Sequence, residues 1–303
     1  MSSIANPNGE LISLEAGEYK ATATTVGAGL QSLTFQGQDL VLPFPPDELP
    51  PAYAGKTLMP WPNRIQGGAY GFGGQRYEVP VNEAATGSAL HGLVLWREWQ
   101  VERHSSEEVT LTHRLHGQPG YPFQLELSTR YRLEADSGLM VELRAENCGQ
   151  SRAPYGCGSH PYVTVGREDI SNCELNFTAG KVLLTDEKLQ PADLIDSRGT
   201  EFDFSVARLL RSQRLDHAFT ALPAGRWDVT LRNPALRLSA VVQSTGADAP
   251  WLQLYSGELR DRQGLAVEPM SCPPDAFNSG QDLIVLEPGQ AHVMSYRILA
   301  LEG

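Results

Sequence analysis

Long apolar runs are missing from this 303-residue sequence, and none approaches the ~18 consecutive apolar residues of a membrane-spanning helix. The opening MSSIANPNGELISLEAG has neither the basic start nor the apolar centre of a secretory leader, so a cytoplasmic chain that avoids membranes is expected. Basic clusters are missing too: 24 Lys and Arg stand against 36 Asp and Glu, a net charge of −12. With no positive patch to hold phosphates, nucleic acid is not an expected partner, and neutral or small polar ligands suit the chain better. Cysteine is scarce. Cys148, Cys157, Cys173 and Cys272 share no CxxC spacing and no histidines at zinc-finger intervals, which argues against a structural metal and for reduced, packed thiols. There is no dinucleotide-binding fingerprint, internal repeat or low-complexity segment, so neither a metal nor a cofactor is expected.

Helical periodicity is also rare, its best example being VARLLRSQRL from Val206 to Leu215. Two-residue alternation is abundant. In QLELSTRYRLEA, Leu125, Leu127, Thr129, Tyr131 and Leu133 fall on one face and Gln124, Glu126, Ser128, Arg130 and Arg132 on the other, the pattern of a half-buried strand. The same period recurs at Val109–Leu115, Leu139–Ala145, Leu236–Val242 and Val293–Ile298, and Gly73-Gly74 sits between two strand-like runs as a hairpin turn. The 29 glycines and 21 prolines are scattered rather than gathered into a linker. One all-β domain over 1–303, a large antiparallel two-sheet sandwich, is the expected architecture.

Five places break this pattern. In MPWPNRIQGG, two prolines stiffen the approach to Arg64. In SALHGLVLW, His91 and a glycine interrupt an apolar run. In PYGCGSHPYVTVG, His160 sits among small residues and prolines, flanked by Tyr155 and Tyr162. In RLDHAFT, Asp216 opens a short apolar run. In GLAVEPMSCPPDAFN, Glu268 ends an apolar strand, where desolvation tends to raise a carboxyl pKa toward the range of a working base. Taken singly, each has an ordinary explanation: a loop arginine, packed histidines, a turn cap, a strand-end glutamate facing water.

In chain order, NRI, HG, HPY, LDH and EP-x4-PDAFN together resemble the aldose 1-epimerase (galactose mutarotase) family, from about Ala16 to the final strand. The resemblance implies a large β-supersandwich that binds a sugar in a concave face. It also implies cofactor-free chemistry, in which a cyclic hexose opens to the aldehyde and recloses on the other face of C1. On that basis Glu268 is the base that takes the C1 hydroxyl proton and His160 the acid that protonates the departing ring oxygen. His91 would hydrogen-bond near that oxygen, and Arg64 and Asp216 would hold sugar hydroxyls. Met59 and Pro60 replace a glycine and an arginine usual in the family, and GCGS replaces a stretch that commonly holds an asparagine. These departures resemble a bacterial sub-branch that includes sulfoquinovose mutarotases.

The expected partner is therefore a free aldohexose, bound by a monomer or dimer. An anionic sugar, sulfoquinovose or a hexose 6-phosphate, is the alternative substrate. GELRDRQG suggests how: Arg260 and Arg262 lie close in sequence to Glu268, either as an anion clamp or, as alternating charge favours, as a solvated hairpin tip. A non-enzymatic sugar-binding sandwich would need no acid and base on one ring. A glycoside hydrolase would need two carboxylates flanking a cleft, for which Glu268 and Asp216 are the available pair.

Overall fold

The computed structural model describes residues 6–303. Two large antiparallel sheets dominate, one of twelve strands and one of nine. The smaller sheet contains Leu125–Glu134, whose alternating residues Leu125, Leu127, Thr129, Tyr131 and Leu133 are all buried, between Glu108–Leu115 and Gly138–Asn147. The final strand, Ala291–Glu302, joins Gly138–Asn147 to Leu238–Thr245 and completes the middle of that sheet. A single hydrophobic cluster running from Ile12 to Ile298 draws on residues of both sheets. The Gly73-Gly74 turn joins Ala69–Phe72 to Gln75–Glu78, with both glycines at positive φ as a tight hairpin requires.

Three details differ from the reading of the sequence. Val206–Leu215 is not a helix: Arg208–Leu209 forms a short strand against Glu174–Asn176, and the N–H groups of Leu210 and Arg211 bond to Cys173 and Ser171. Apolar period misleads there because Leu210 and Leu215 are buried while Val206 is 76% exposed, so no helical face exists to bury. The strand expected from Leu236 starts at Leu238, because the Asn233 side chain accepts the N–H groups of Ala235 and Leu236 and holds a turn open. Glu268 does not end its strand. Leu265–Met270 continues through Pro269, and all its residues are buried.

No described helix is long and apolar enough to cross a membrane. The only α-helix among the described residues is Ala276–Ser279, within the PDAFN segment. All four cysteines are free thiols.

Candidate active site

Three neighbouring strands of the larger sheet, Asp216–Thr220, Trp251–Tyr255 and Leu265–Met270, form the floor of the site. Parity decides what they present. Leu265, Val267, Leu252 and Leu254 point into the main core, so Glu268 and Gln253, one residue out of phase, point to the opposite face. Those two residues are direct cross-strand partners, and Gln253 Nε2 donates to Asp216 Oδ1 at 2.7 Å.

The walls come from loops stiffened by backbone contacts. Arg64–Gln66 pairs with Ser88–Leu90, placing Arg64 opposite Leu90, so one small ribbon carries both Arg64 and His91. His91 Nδ1 accepts the Asn63 backbone N–H at 3.2 Å. A neutral imidazole that accepts at Nδ1 carries its proton on Nε2, which makes His91 a donor from that nitrogen. Gly92 explains the HG pair: its φ is +82°, and a Cβ there would lie 2.0 Å from the Met59 carbonyl oxygen. Only glycine lets the chain turn so closely under the MPWPNRI segment.

His160 is anchored by its own backbone, donating to Lys56 O and accepting from Gly55 N. Its ring stacks on Tyr162, with centroids 5.2 Å apart, and meets His91 edge-on at the same distance. His160 Nε2 lies 3.3 Å from Glu268 Oε1, and both side chains are buried. Gly156, just upstream, is forced small because a Cβ would meet Cys272 Sγ at 2.5 Å. The glycines of GCGS thus allow the His160 loop to sit on the Glu268 strand.

The pocket has a volume of about 330 Å³, at the low end of the roughly 300–1,000 Å³ of small-ligand sites. Arg64, His91, His160, Asp216 and Glu268, all named from the sequence, line it. Burial governs their protonation. It pushes the Glu268 carboxyl well up, reinforced by Asp216 and opposed by Arg64. Burial likewise raises Asp216, against the pull of Arg64 and the Gln253 hydrogen bond. It lowers His91 well below the usual imidazole range, with His160 and Arg64 adding to the effect. His160 is lowered to about 4, first by burial and also by the nearby Arg260 charge. Three buried atoms of residues lining the site, His160 Nδ1, Glu268 Oε2 and Gln253 Oε1, have no hydrogen-bond partner in the protein, which marks a place shaped for polar ligand groups.

Sequence reasoning missed three contributors. Glu83 pairs with Arg64 through two hydrogen bonds, Nε to Oε2 at 2.7 Å and Nη2 to Oε1 at 2.8 Å. Gln253 links Asp216 to the Glu268 strand, and its only signal was a lone polar residue in WLQLY. Asn63 braces both Arg64 and His91 through its side chain and backbone.

The structure also gathers what linear spacing did not: ligand atoms of His91, His160 and Glu268 lie within 4.8 Å of one another, a set that can hold a divalent cation. The Asn63 N–H already occupies His91 Nδ1, leaving Nε2 as that residue's free nitrogen.

Neither arginine of GELRDRQG lines the pocket. Arg260 lies over the Tyr162 ring and donates to the carbonyls of Leu42 and Pro43. Arg262 donates to the carbonyls of Gln213 and Arg211 and to Glu258. The anion-clamp and solvated-tip readings both give way to a third, in which these guanidinium groups bind carbonyls behind the site and are partly buried. Accordingly, Arg262→Ala is expected to cost about 1–3 kcal/mol of stability in a denaturant melt, while kcat/KM stays within about twofold. A specific loss of activity without loss of stability would contradict this assignment.

An all-β supersandwich with a buried histidine against a buried glutamate in a pocket fits the class of mutarotase-like epimerases. The chain belongs to the aldose 1-epimerase family, which it matches over residues 10–298, and it is an enzyme of the epimerase kind. It is 44% identical over 291 residues to the Escherichia coli (strain K12) protein YihR, described as uncharacterized, covering 96% of this chain and 93% of that one. It is 27% identical over 286 residues to the aldose 1-epimerase of the same strain, covering 82% and 81% of the two chains. Among solved structures, the GalM/aldose epimerase homologue from C. elegans superposes with a TM-score of 0.87 at 22% identity, over 97% of this chain and 99% of that one. Galactose 1-epimerase from Lactobacillus acidophilus NCFM superposes with a TM-score of 0.81 at 23% identity, over 96% and 94%. These likenesses bear out the supersandwich fold expected from the sequence.

Proposed function

We propose that the protein interconverts the α and β anomers of a free aldohexose, with Glu268 as base and His160 as acid. The observation that carries this reading is the buried contact of 3.3 Å between His160 Nε2 and Glu268 Oε1 at the floor of the pocket. Ring opening needs a base on the C1 hydroxyl and an acid on the ring oxygen, held on one bound ring at once. Burial favours the uncharged forms of both groups, so the proton of the pair rests on the carboxyl. Moving that proton across to Nε2 creates the carboxylate base and imidazolium acid together, with no change in total charge. Arg64 favours the ionised carboxylate. His91, with its Nε2–H, suits a hydrogen bond to the ring oxygen, and Arg64 and Asp216 suit the sugar hydroxyls. Neutral aldohexoses are the expected substrates, because Arg64 is paired with Glu83 and Arg260 does not line the pocket.

The test is the optical rotation of freshly dissolved α-glucose and α-galactose. The expected result is a relaxation rate that rises in proportion to enzyme concentration and reaches the spontaneous end-point. Sugar binding without acceleration would identify a binding module, and release of reducing sugar from a glycoside would identify a hydrolase. A metal-free mechanism makes a further prediction: dialysis against EDTA leaves the rate unchanged. Activity lost on dialysis and restored by a divalent ion would instead assign His91, His160 and Glu268 to a cation.

A further inference from the structure

We infer that Glu83 sets the charge preference of the pocket, by neutralising Arg64 and fixing where its remaining donors point. The inference rests on the pocket being a sugar site. A guanidinium has five N–H groups. In this structure Nε and one Nη2 hydrogen go to Glu83, and one Nη1 hydrogen goes to Asn63 Oδ1 at 3.3 Å. Two N–H groups are left to meet a ligand, in directions set by the planar fork.

Glu83 is itself fixed. Thr86 Oγ1 donates to its carboxylate, and its backbone carbonyl accepts from Gly87 and Ser88. Its side chain lines the pocket and is 21% exposed, so the pair is largely shielded from solvent screening. The Arg64 hydrogen bond and the Thr86 hydroxyl outweigh burial and hold the carboxyl below its ordinary range, so Glu83 is ionised at neutral pH.

The charge balance around a bound sugar follows from these contacts. Arg64 is the one cationic side chain lining the pocket, whereas Glu83, Asp216 and Glu268 all line it. Paired with Glu83, Arg64 keeps its directional N–H groups, but its positive field in the pocket is partly offset by the carboxylate. A neutral sugar needs only the donors. A sugar bearing a carboxylate or sulfonate needs the field as well, and Glu83 weakens it. Discrimination against anions thus comes from an added negative charge rather than from a missing positive one.

The experiment compares wild type, Glu83→Gln and Glu83→Asp on glucose and on glucuronate, by polarimetry and by NMR anomer exchange. Glu83→Gln keeps the shape and removes the charge, so the ratio of kcat/KM for glucuronate to that for glucose is expected to rise about tenfold over wild type. The gain should shrink as salt is added. Glu83→Asp keeps the charge, so its ratio should stay within about twofold of wild type even if both rates fall. Glu83→Ala provides a second uncharged side chain and must move the ratio in the same direction, which covers the case in which the Gln variant folds poorly.

A loss of both activities at constant ratio in the uncharged variants would reduce Glu83 to a structural brace and overturn the inference. So would an Asp variant that behaves like Gln. If wild type accelerates neither sugar, the proposed function fails, and this inference with it. If wild type is active and the ratio does not move, only this inference fails.

Discussion

Glu268→Gln is expected to lower kcat for mutarotation by roughly 10²–10⁴-fold, the span of one general acid–base group, while changing sugar binding little. The amide keeps the volume and the cross-strand position beside Gln253 but cannot take a proton from the C1 hydroxyl. The same substitution should stabilise the fold at neutral pH. Glu268 has a folded pKa raised well above its ordinary value. Between the two values the native state binds more protons than the unfolded chain, so the group's contribution is fully present at low pH and is lost as pH rises. Glutamine cannot ionise and escapes that loss. The Tm difference between variant and wild type should therefore widen from acid to neutral pH. A loss of activity below about tenfold, after subtraction of spontaneous mutarotation, would remove Glu268 from the base role.

His160→Asn should cause a loss of similar size, roughly 10²–10⁴-fold, for the complementary reason that no group remains to protonate the ring oxygen. Its signature is in the pH profile. In wild type the limbs of kcat/KM belong to the His160–Glu268 pair, because two groups sharing one proton titrate together. Removing the imidazole should erase one limb and leave a single titration. The stability effect has the opposite sign to that of Glu268. His160 is lowered to about 4 in the folded protein, against an unfolded value of about 6.5. Stability from keeping this histidine neutral is present above the unfolded value and is lost as pH falls toward about 4. The Asn variant should accordingly unfold less readily in acid than wild type. A variant that keeps both limbs would show that another acid serves the ring oxygen.

Much of the fold is legible in the sequence because strands have a short, strict period. Leu125, Leu127, Thr129, Tyr131 and Leu133 alternate in the sequence and are all buried in the structure. Where the same logic failed, at Val206–Leu215, the carbonyls of Cys173 and Ser171, in the turn that leads into the strand Glu174–Asn176, captured backbone N–H groups that a helix would have used internally. Apolar spacing does not reveal that kind of long-range competition.

The candidate site divides along the same line. By itself the sequence determined the all-β class, the lack of a basic cluster along the chain, and the identity of five odd residues, because each is a polar side chain set against a run of apolar or conformationally restricted neighbours. Tertiary structure alone decided that positions 64, 91, 160, 216 and 268 share one pocket. It alone showed that Glu268 sits inside its strand rather than at the end, on the face turned away from the core. Strand parity states that a residue points to one of two faces, but only the packed sheets determine which face is core and which is pocket. The Glu83 partner of Arg64 and the carbonyl partners of Arg260 and Arg262 were invisible for the related reason that a charge's effect depends on what it touches. An arginine reads identically in sequence whether its field is free or partly offset, and contacts between segments far apart in the chain settle the difference.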